Sequence, residues 1–282
     1  MPRIFKRRKD RPKRQHHKLM PIRQLLRESW ADVWANKKAY VLVLAIIVIP
    51  SDIFSIALSL NDNDLTAAYL SIAAVVMNVA LLWTIARRAE RETAPSFGEA
   101  YYAGSEAIVR YALTSVAVIA MLVPLAFGGS LYANGLETTQ TSNLSGGVLL
   151  IIGLVSLLIA APSVYLMVRY GLSTFAAVED GLTPIAALKR SRRISLGRFW
   201  PVAARLVFLA VIVIAVLVPI GVVTLGLSLV RLGGISTGFF EILTTLIGLP
   251  IVNVYLFHLY RDLKSTASPE ALSVDAAEET AE

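Results

Sequence analysis

Six long apolar stretches constrain the fold of this chain more than any other feature of its sequence. A helix needs about 20 apolar residues to cross the hydrocarbon core of a bilayer, which is about 30 Å thick. Lipid offers no hydrogen-bond partner to backbone groups, and no stretch alternates with the period of a membrane barrel, so we predict transmembrane helices. They are Ala39–Leu60, Leu65–Ala86, Val109–Ala133, Val148–Val168, Val202–Val230 and Phe239–Tyr260.

The composition favours the same class, an all-α polytopic membrane bundle. Hydrophobic residues make up 56% of the chain and charged residues 17%, against roughly half and a quarter in soluble domains. The chain contains no cysteine, which excludes disulfides, thiolate metal sites and a thiol nucleophile. Two of the three histidines, His16 and His17, lie in a basic tail. We therefore predict neither a metal nor a cofactor.

The positions of the basic residues predict the orientation of the spans. Every lysine and arginine except Arg231 lies in residues 1–38, 87–110, 169–205 or 261–264. Positively charged loops stay in the cytoplasm. We therefore predict a multi-pass protein of the inner, or plasma, membrane with both termini in the cytoplasm. The four tryptophans fall at or near the same predicted interface, where amphipathic rings concentrate.

The two ends of the chain differ in charge. Residues 1–19 are strongly basic and would attract phosphate groups. Beyond Phe5 they carry no interleaved aromatic residue, so contact with anionic lipid, or a role in topology, is favoured and no nucleic acid partner is predicted. Residues 265–282 carry five acidic and no basic residues. We predict that both are disordered cytoplasmic tails around a six-span membrane domain at residues 20–264.

A short amphipathic segment precedes each odd-numbered span, at residues 22–34, 96–108 and 183–197. Apolar residues on one helical face, with polar residues opposite, are typical of helices that lie in the membrane plane. We predict three such helices and a threefold internal repeat, with chance recurrence as the alternative. Prolines open each segment and recur in the following span: Pro21 and Pro50, Pro95 and Pro124, Pro184 and Pro219.

The third amphipathic segment has local start and stop signals. Thr183 is a suitable N-cap, and Pro184 suits the first helical turn. Gly197 is suited to end the helix. The preceding acids, Glu179 and Asp180, are interpreted as a cap and turn, and a buried Glu179 would pair with a local arginine.

Residues 178–200 resemble the cytoplasmic segment of six-span bacterial membrane proteins, which include the membrane domain of glycerophosphodiester phosphodiesterases and related uncharacterised families. Arg192 stands where that group usually has tryptophan. The resemblance extends over roughly residues 20–264. It implies a membrane module without an established reaction, and it supplies no catalytic residue. The matching residues are Glu179, Ala187, Leu188, Lys189, Arg190, Ser191, Gly197, Phe199 and Trp200.

A basic cluster in the same segment is the first candidate site. Each cation near an anionic membrane surface is worth about 1 kcal/mol of binding. The cluster is therefore a candidate head-group site for anionic phospholipid, and orientation by positive charge is the alternative. Its members are Lys189, Arg190, Arg192, Arg193 and Arg198.

Polar residues inside the predicted spans form the second candidate site. Asp52 lies deep in the first span, and intramembrane carboxylates mark function by default. Asn78 and Asn253 lie in the second and sixth spans, where interhelical hydrogen bonding is the alternative. Prolines in five spans favour kinks, which open cavities in transporters. A transporter would place these three residues around one polar cavity.

The chain carries no Gly-x-Ser-x-Gly, Gly-Lys-Ser phosphate loop or His-Glu-x-x-His motif. The sequence therefore favours a non-enzymatic protein with a structural or anionic-lipid-interacting role at the cytoplasmic leaflet. The alternative is a transporter or permease-like protein.

Overall fold

A computed structural model describes residues 19–59, 63–90, 97–142, 146–229 and 242–267. The two predicted tails lie outside these ranges, except for residue 19 and residues 265–267. The described residues form helices and no strands, which confirms the all-α prediction for this part of the chain. The helices are α1 Ile22–Ser59, α2 Asn63–Glu90, α3 Phe97–Met121, α4 Val123–Ser142, α5 Gly146–Tyr170, α6 Ser173–Glu179, α7 Pro184–Ile194, α8 Phe199–Leu229 and, after a π-helical turn at Thr244–Gly248, α9 Leu249–Ser265.

Within the described residues, five helical segments are long and apolar enough to cross a membrane, so the protein is membrane-embedded. The sixth predicted span, Phe239–Tyr260, begins outside the described residues. Its described part, residues 242–260, contains the π-helical turn and most of α9, whose 17 residues extend about 26 Å. A sixth span stays a prediction. The five segments are Ile22–Ser51, Ala68–Arg88, Gly104–Met121, Gly147–Glu179 and Phe199–Gly226.

The first two amphipathic segments do not form helices of their own, contrary to the prediction. Both are continuous with the apolar helix that follows, in α1 and α3. In α1 the junction at residues 35–39 reads Ala-Asn-Lys-Lys-Ala, which contains no glycine or proline to end a helix. The third segment is separate and forms α7. An in-plane orientation and the threefold repeat stay predictions.

Proline interrupts the helices at two places. The third predicted span is broken at Leu122, two residues before Pro124, and α4 starts after the break. A π-helical turn precedes Pro250 in the same way. In both cases the proline lacks the N–H for a helical hydrogen bond and its ring crowds the preceding turn. Pro50, Pro162 and Pro219 lie within assigned helices.

The core surrounds α9 and not the most apolar helix. Tyr255, Phe257 and Tyr260 of α9 are at most 1% exposed, and α1 and α2 contribute large side chains to the same cluster. By contrast, only 6% of the most apolar window of α8 is buried, although its mean hydropathy is 3.3. Lipid solvates an apolar surface as well as protein does, so packing and polar contacts, not hydropathy, decide which helix is central.

Candidate functional site

Helix α7 is defined by the local signals that the sequence predicts. Thr183 is extended, with φ −61° and ψ 157°, and Pro184 starts the helix. The predicted cap is wrong in one respect, since the Thr183 side chain makes no capping hydrogen bond. Gly197 has φ +75° in the turn that follows. That left-handed conformation disfavours a side chain, which explains the glycine.

The two faces of α7 have different surroundings. Ala187, Arg190, Ser191 and Ile194 are buried. Ser191 Oγ donates to the carbonyl oxygen of Arg169 at 2.9 Å, which ties α7 to the end of α5. Because residues three and four apart share a helical face, the remaining positions form a separate exposed face.

The exposed face combines cations with large apolar side chains. Lys189 and Arg192 are exposed. Ile185 is 68% exposed, and Leu196, in the following turn, is 61% exposed. Trp200, at the start of α8, is 79% exposed. We refer to these five residues as the α7 surface.

Beneath the α7 surface lies an ionic cluster around the turn between α6 and α7. We refer to the carboxylates Glu179 and Asp180, together with the side chains that contact this turn, as the turn cluster. Lys264 Nζ contacts Asp180 Oδ1 and lies 3.5 Å from Glu179 Oε1. Arg261 Nε lies 3.4 Å from the same Glu179 oxygen. Tyr260 Oη donates to Asp180 Oδ2 at 2.6 Å. Glu179 is thus buried and paired with a basic residue, although the partners come from α9 and not from a neighbouring segment.

Two arginines complete this turn cluster. Arg190 Nε lies 3.8 Å from Asp180 Oδ2, and the Arg190 side chain is 9% exposed. Arg110 of α3 donates to the carbonyl oxygen of Gly181, whose φ is +69°. The turn between α6 and α7 therefore contacts α3, α7 and α9. A turn with this many partners has a fixed position, and it holds α7 in place.

Further contacts gather at the same end of the bundle, which we term the basic end. Arg198 donates to the carbonyl oxygen of Thr266 at 2.7 Å and also contacts its hydroxyl group. Arg205 donates to the carbonyl oxygen of Met20. The Met20 N–H donates to Asp262 Oδ2 at 2.9 Å. The start of α1, the start of α8 and the end of α9 are thereby joined.

The predicted head-group residues divide into two groups. Lys189 and Arg192 belong to the exposed α7 surface. Arg190 and Arg198 make the interior contacts above, so they hold the bundle together. Arg193 is half-buried between the two groups. The division follows from helical geometry, since Arg190 and Arg192 point in roughly opposite directions from α7.

Four candidate residues lie in the segment that resembles the phosphodiesterase membrane domain, and three of them have defined structural roles. Glu179 is buried in the turn cluster, and Ser191 bonds to the end of α5. Gly197 has the left-handed conformation. Trp200 lies on the α7 surface and packs edge-on against Phe199, with ring centroids 5.3 Å apart. Glu179, Ser191 and Gly197 thus serve the architecture of the basic end, whereas Trp200 is 79% exposed.

The structure describes the side chains of two of the three predicted intramembrane polar residues, Asn78 and Asn253. Asn78 Nδ2 donates to the carbonyl oxygen of Ala74 at 2.9 Å, and Asn253 Nδ2 donates to that of Leu249 at 3.0 Å. Each amide is therefore bonded within its own helix. The side chain of Asp52 lies outside the described residues.

Helix α1 carries a second polar contact with α9 that the sequence did not predict. His258 Nε2 lies 3.2 Å from Asp32 Oδ2. The other oxygen of Asp32 accepts hydrogen bonds from Asn36 and, at 3.3 Å, from Tyr40. Asp32, Asn36 and Tyr40 recur every four residues, which places them on one helical face. The spacing could have predicted a polar face on α1. It could not have predicted the partner, because His258 lies 226 residues further along the chain.

Exposed tryptophans accompany the same part of α1. Trp30 and Trp34 stack with ring centroids 6.4 Å apart, and Lys37 Nζ lies 4.0 Å from the centre of the Trp34 ring. Both indoles are about half exposed or more. Aromatic rings and amines exposed together are typical of the membrane–water interface.

Comparison with protein-family models, with curated proteins and with solved structures finds no match for this chain. The resemblance to the phosphodiesterase membrane domain therefore stays a prediction.

Proposed function

We propose that this protein is a non-enzymatic membrane protein that binds anionic phospholipid at its basic end. The observation that carries the proposal is the α7 surface, where the cations Lys189 and Arg192 lie between exposed apolar residues. Phosphate groups would meet the cations, while Ile185, Leu196 and Trp200 would enter the boundary of the acyl chains. We further propose that this end faces the cytoplasm of the inner, or plasma, membrane, as the positive charge predicts.

The fixed position of α7 supports the proposal. Helix α7 rests on the turn cluster, in which three helices hold Asp180 and Gly181. A fixed helix presents its exposed side chains without the cost of ordering the backbone, which favours a preorganised site. Transport receives less support, because Asn78 and Asn253 bond within their own helices.

The experiment measures which lipids surround Trp200. Replacing Trp30, Trp34 and Trp83 with Phe leaves Trp200 as the sole tryptophan. The variant is reconstituted in mixtures of phosphatidylglycerol and phosphatidylcholine, with bromine on the chains of one lipid at a time. Bromine quenches the indole on contact, so the two quenching curves give the association constant of phosphatidylglycerol relative to phosphatidylcholine.

We expect the association constant of phosphatidylglycerol to exceed that of phosphatidylcholine by about three- to tenfold. In free energy this preference is smaller than the sum for two cations that each contribute the full value of about 1 kcal/mol. Lys189→Gln with Arg192→Gln should return the ratio to about one. The matched control is Lys37→Gln with Lys38→Gln, which removes the same charge from exposed positions on α1 and should leave the ratio unchanged. Equal quenching by both lipids in the parent variant would refute the proposal.

A further inference from the structure

A pocket of about 360 Å³ lies between α1, α2 and the π-helical turn. Its volume is at the lower end of the range for small-molecule sites, which is about 300–1,000 Å³. Three hydroxyl-bearing residues line it, one from each element: Ser51, Ser71 and Thr245. Its other walls are aliphatic, with Ile47 and Met77 among them. A mostly apolar pocket with a few hydroxyl groups has the composition of a binding site.

A proline within a helix and a π-helical turn lie at this pocket. Pro50 lies next to Ser51 in α1 and removes one backbone hydrogen bond. Thr245 lies in the π-helical turn before Pro250. Such turns recur at functional sites. Irregular backbone at membrane depth is tolerated where it is buried in protein or lines a cavity, and the π-helical turn contributes Thr245 to the wall of this one.

The pocket is polar at one end and apolar at the other. In α1, Ser51 lies four residues beyond Ile47, about 6 Å further along the helix. In α2, Ser71 lies six residues before Met77, a separation of about 9 Å. The Ser51 hydroxyl is 3.5 Å from that of Tyr69, so the end of α1 lies beside the start of α2. The Ser51 and Ser71 hydroxyl groups are therefore toward the end of the pocket away from Arg87 and Arg88, next to Leu70, and Ile47 and Met77 lie toward the other end.

No lysine, arginine, aspartate or glutamate is among the lining residues that the structure describes. Among these lining residues a bound charged group would have no ion-pair partner to compensate for lost hydration. We propose that this pocket binds a neutral amphiphile, with its hydroxyl groups at Ser51 and Ser71 and its acyl chain along Ile47 and Met77. The hydroxyl groups of such a molecule match the hydroxyl-bearing residues of the pocket, and its acyl chain matches the apolar residues. Molecules of this kind are present in a lipid bilayer.

This proposal is independent of anionic lipid at the α7 surface. The pocket holds no cation among its described lining residues, and it lies on the opposite half of α2 from the basic end. Replacing Lys189 and Arg192 should therefore leave it intact. Either function can fail in experiment without affecting the other.

The natural absence of cysteine makes the test direct. Ser71→Cys places one thiol in the pocket, and its rate of reaction with N-ethylmaleimide is measured in phosphatidylcholine nanodiscs. The matched control is Ile72→Cys, at the same depth on α2 but outside the pocket and 66% exposed. The probe is monooleoylglycerol, which is neutral and carries one acyl chain and two hydroxyl groups. Glycerol, which lacks the chain, is the second probe.

We expect monooleoylglycerol at ten times its dissociation constant to slow the Ser71→Cys reaction about tenfold by mass action, and to slow Ile72→Cys less than twofold. Adding Met77→Trp to Ser71→Cys should fill the apolar end and abolish the protection, while the thiol still reacts. Thr245→Cys repeats the measurement from the third element, should Ser71→Cys prove unstable. Equal slowing at positions 71 and 72, no slowing, or protection by glycerol alone would overturn the proposal.

Discussion

The turn cluster predicts that Lys264 stabilises the fold more than any cation of the α7 surface does. Its ammonium group lies against two carboxylates that are largely buried, with Glu179 7% and Asp180 14% exposed. Lys264→Met keeps the aliphatic stem and removes the charge. Removing one partner of a buried ion pair costs about 3–5 kcal/mol, because the other charge stays buried and unpaired.

Two features of the cluster reduce that cost. Arg261 remains 3.4 Å from Glu179, and Arg190 remains 3.8 Å from Asp180. The main loss is then one charge-assisted hydrogen bond, worth about 1.5–3 kcal/mol. We therefore expect Lys264→Met to lower the free energy of unfolding by about 2–3 kcal/mol. Lys189→Met, which removes an exposed charge from α7, should change it by less than about 0.5 kcal/mol.

The assay is reversible unfolding by dodecyl sulfate in mixed micelles, followed by far-ultraviolet circular dichroism. A double-mutant cycle with Asp180→Asn isolates the pair and should give a coupling energy of at least about 1 kcal/mol. A change for Lys264→Met no larger than that for Lys189→Met, together with a coupling energy near zero, would refute the stabilising role of the turn cluster.

Two further predictions concern packing and pH. A Cβ atom at Gly128 of α4 would lie 2.6 Å from the carbonyl oxygen of Ser156 in α5, whereas one at Gly129 would meet no atom within 4 Å. Gly128→Ala should therefore destabilise the protein by about 1–3 kcal/mol and Gly129→Ala should not, as the same unfolding assay would show; equal effects would contradict the α4–α5 packing. Tyr101 Oη donates to the carbonyl oxygen of Val43 at 2.6 Å, and burial raises the pKa of this phenol to about 12. Its stabilising contribution should thus be complete below about pH 10, the pKa of an unfolded tyrosine, and be lost as the pH rises toward 12, whereas Tyr101→Phe should remove that part of the pH dependence.

The sequence alone predicts a helix or a helix end where residues within that segment determine its backbone conformation. The apolar stretches identify the membrane helices, because a helix is the only way for an isolated segment to satisfy its backbone in lipid. Pro184 and Gly197 bound α7, because each restricts the backbone at its own position. Pro124 and Pro250 coincide with interruptions, but the prolines of three other predicted spans lie within continuous helices, so proline alone did not predict where a helix is interrupted.

The roles of individual charged residues could not be predicted in this way. Arg190 and Arg192 lie two residues apart and look equivalent in the sequence, yet one is buried against Asp180 and the other is exposed. Which of them faces inward depends on how α7 packs against α3, α5 and α6. The ion pairs of Glu179 join residues more than 80 positions apart along the chain, and no local pattern encodes such a distance.

The apolar stretches of the sequence are sufficient to predict that this protein enters a membrane as helices. Tertiary structure decided that α9, with its polar face of Tyr260, Arg261 and Lys264, lies at the centre, while the more apolar α8 lies at the periphery. The physical reason is that lipid competes equally for apolar side chains but offers nothing to buried polar groups. Polar contacts between helices therefore set the arrangement, and they form only once the helices have met.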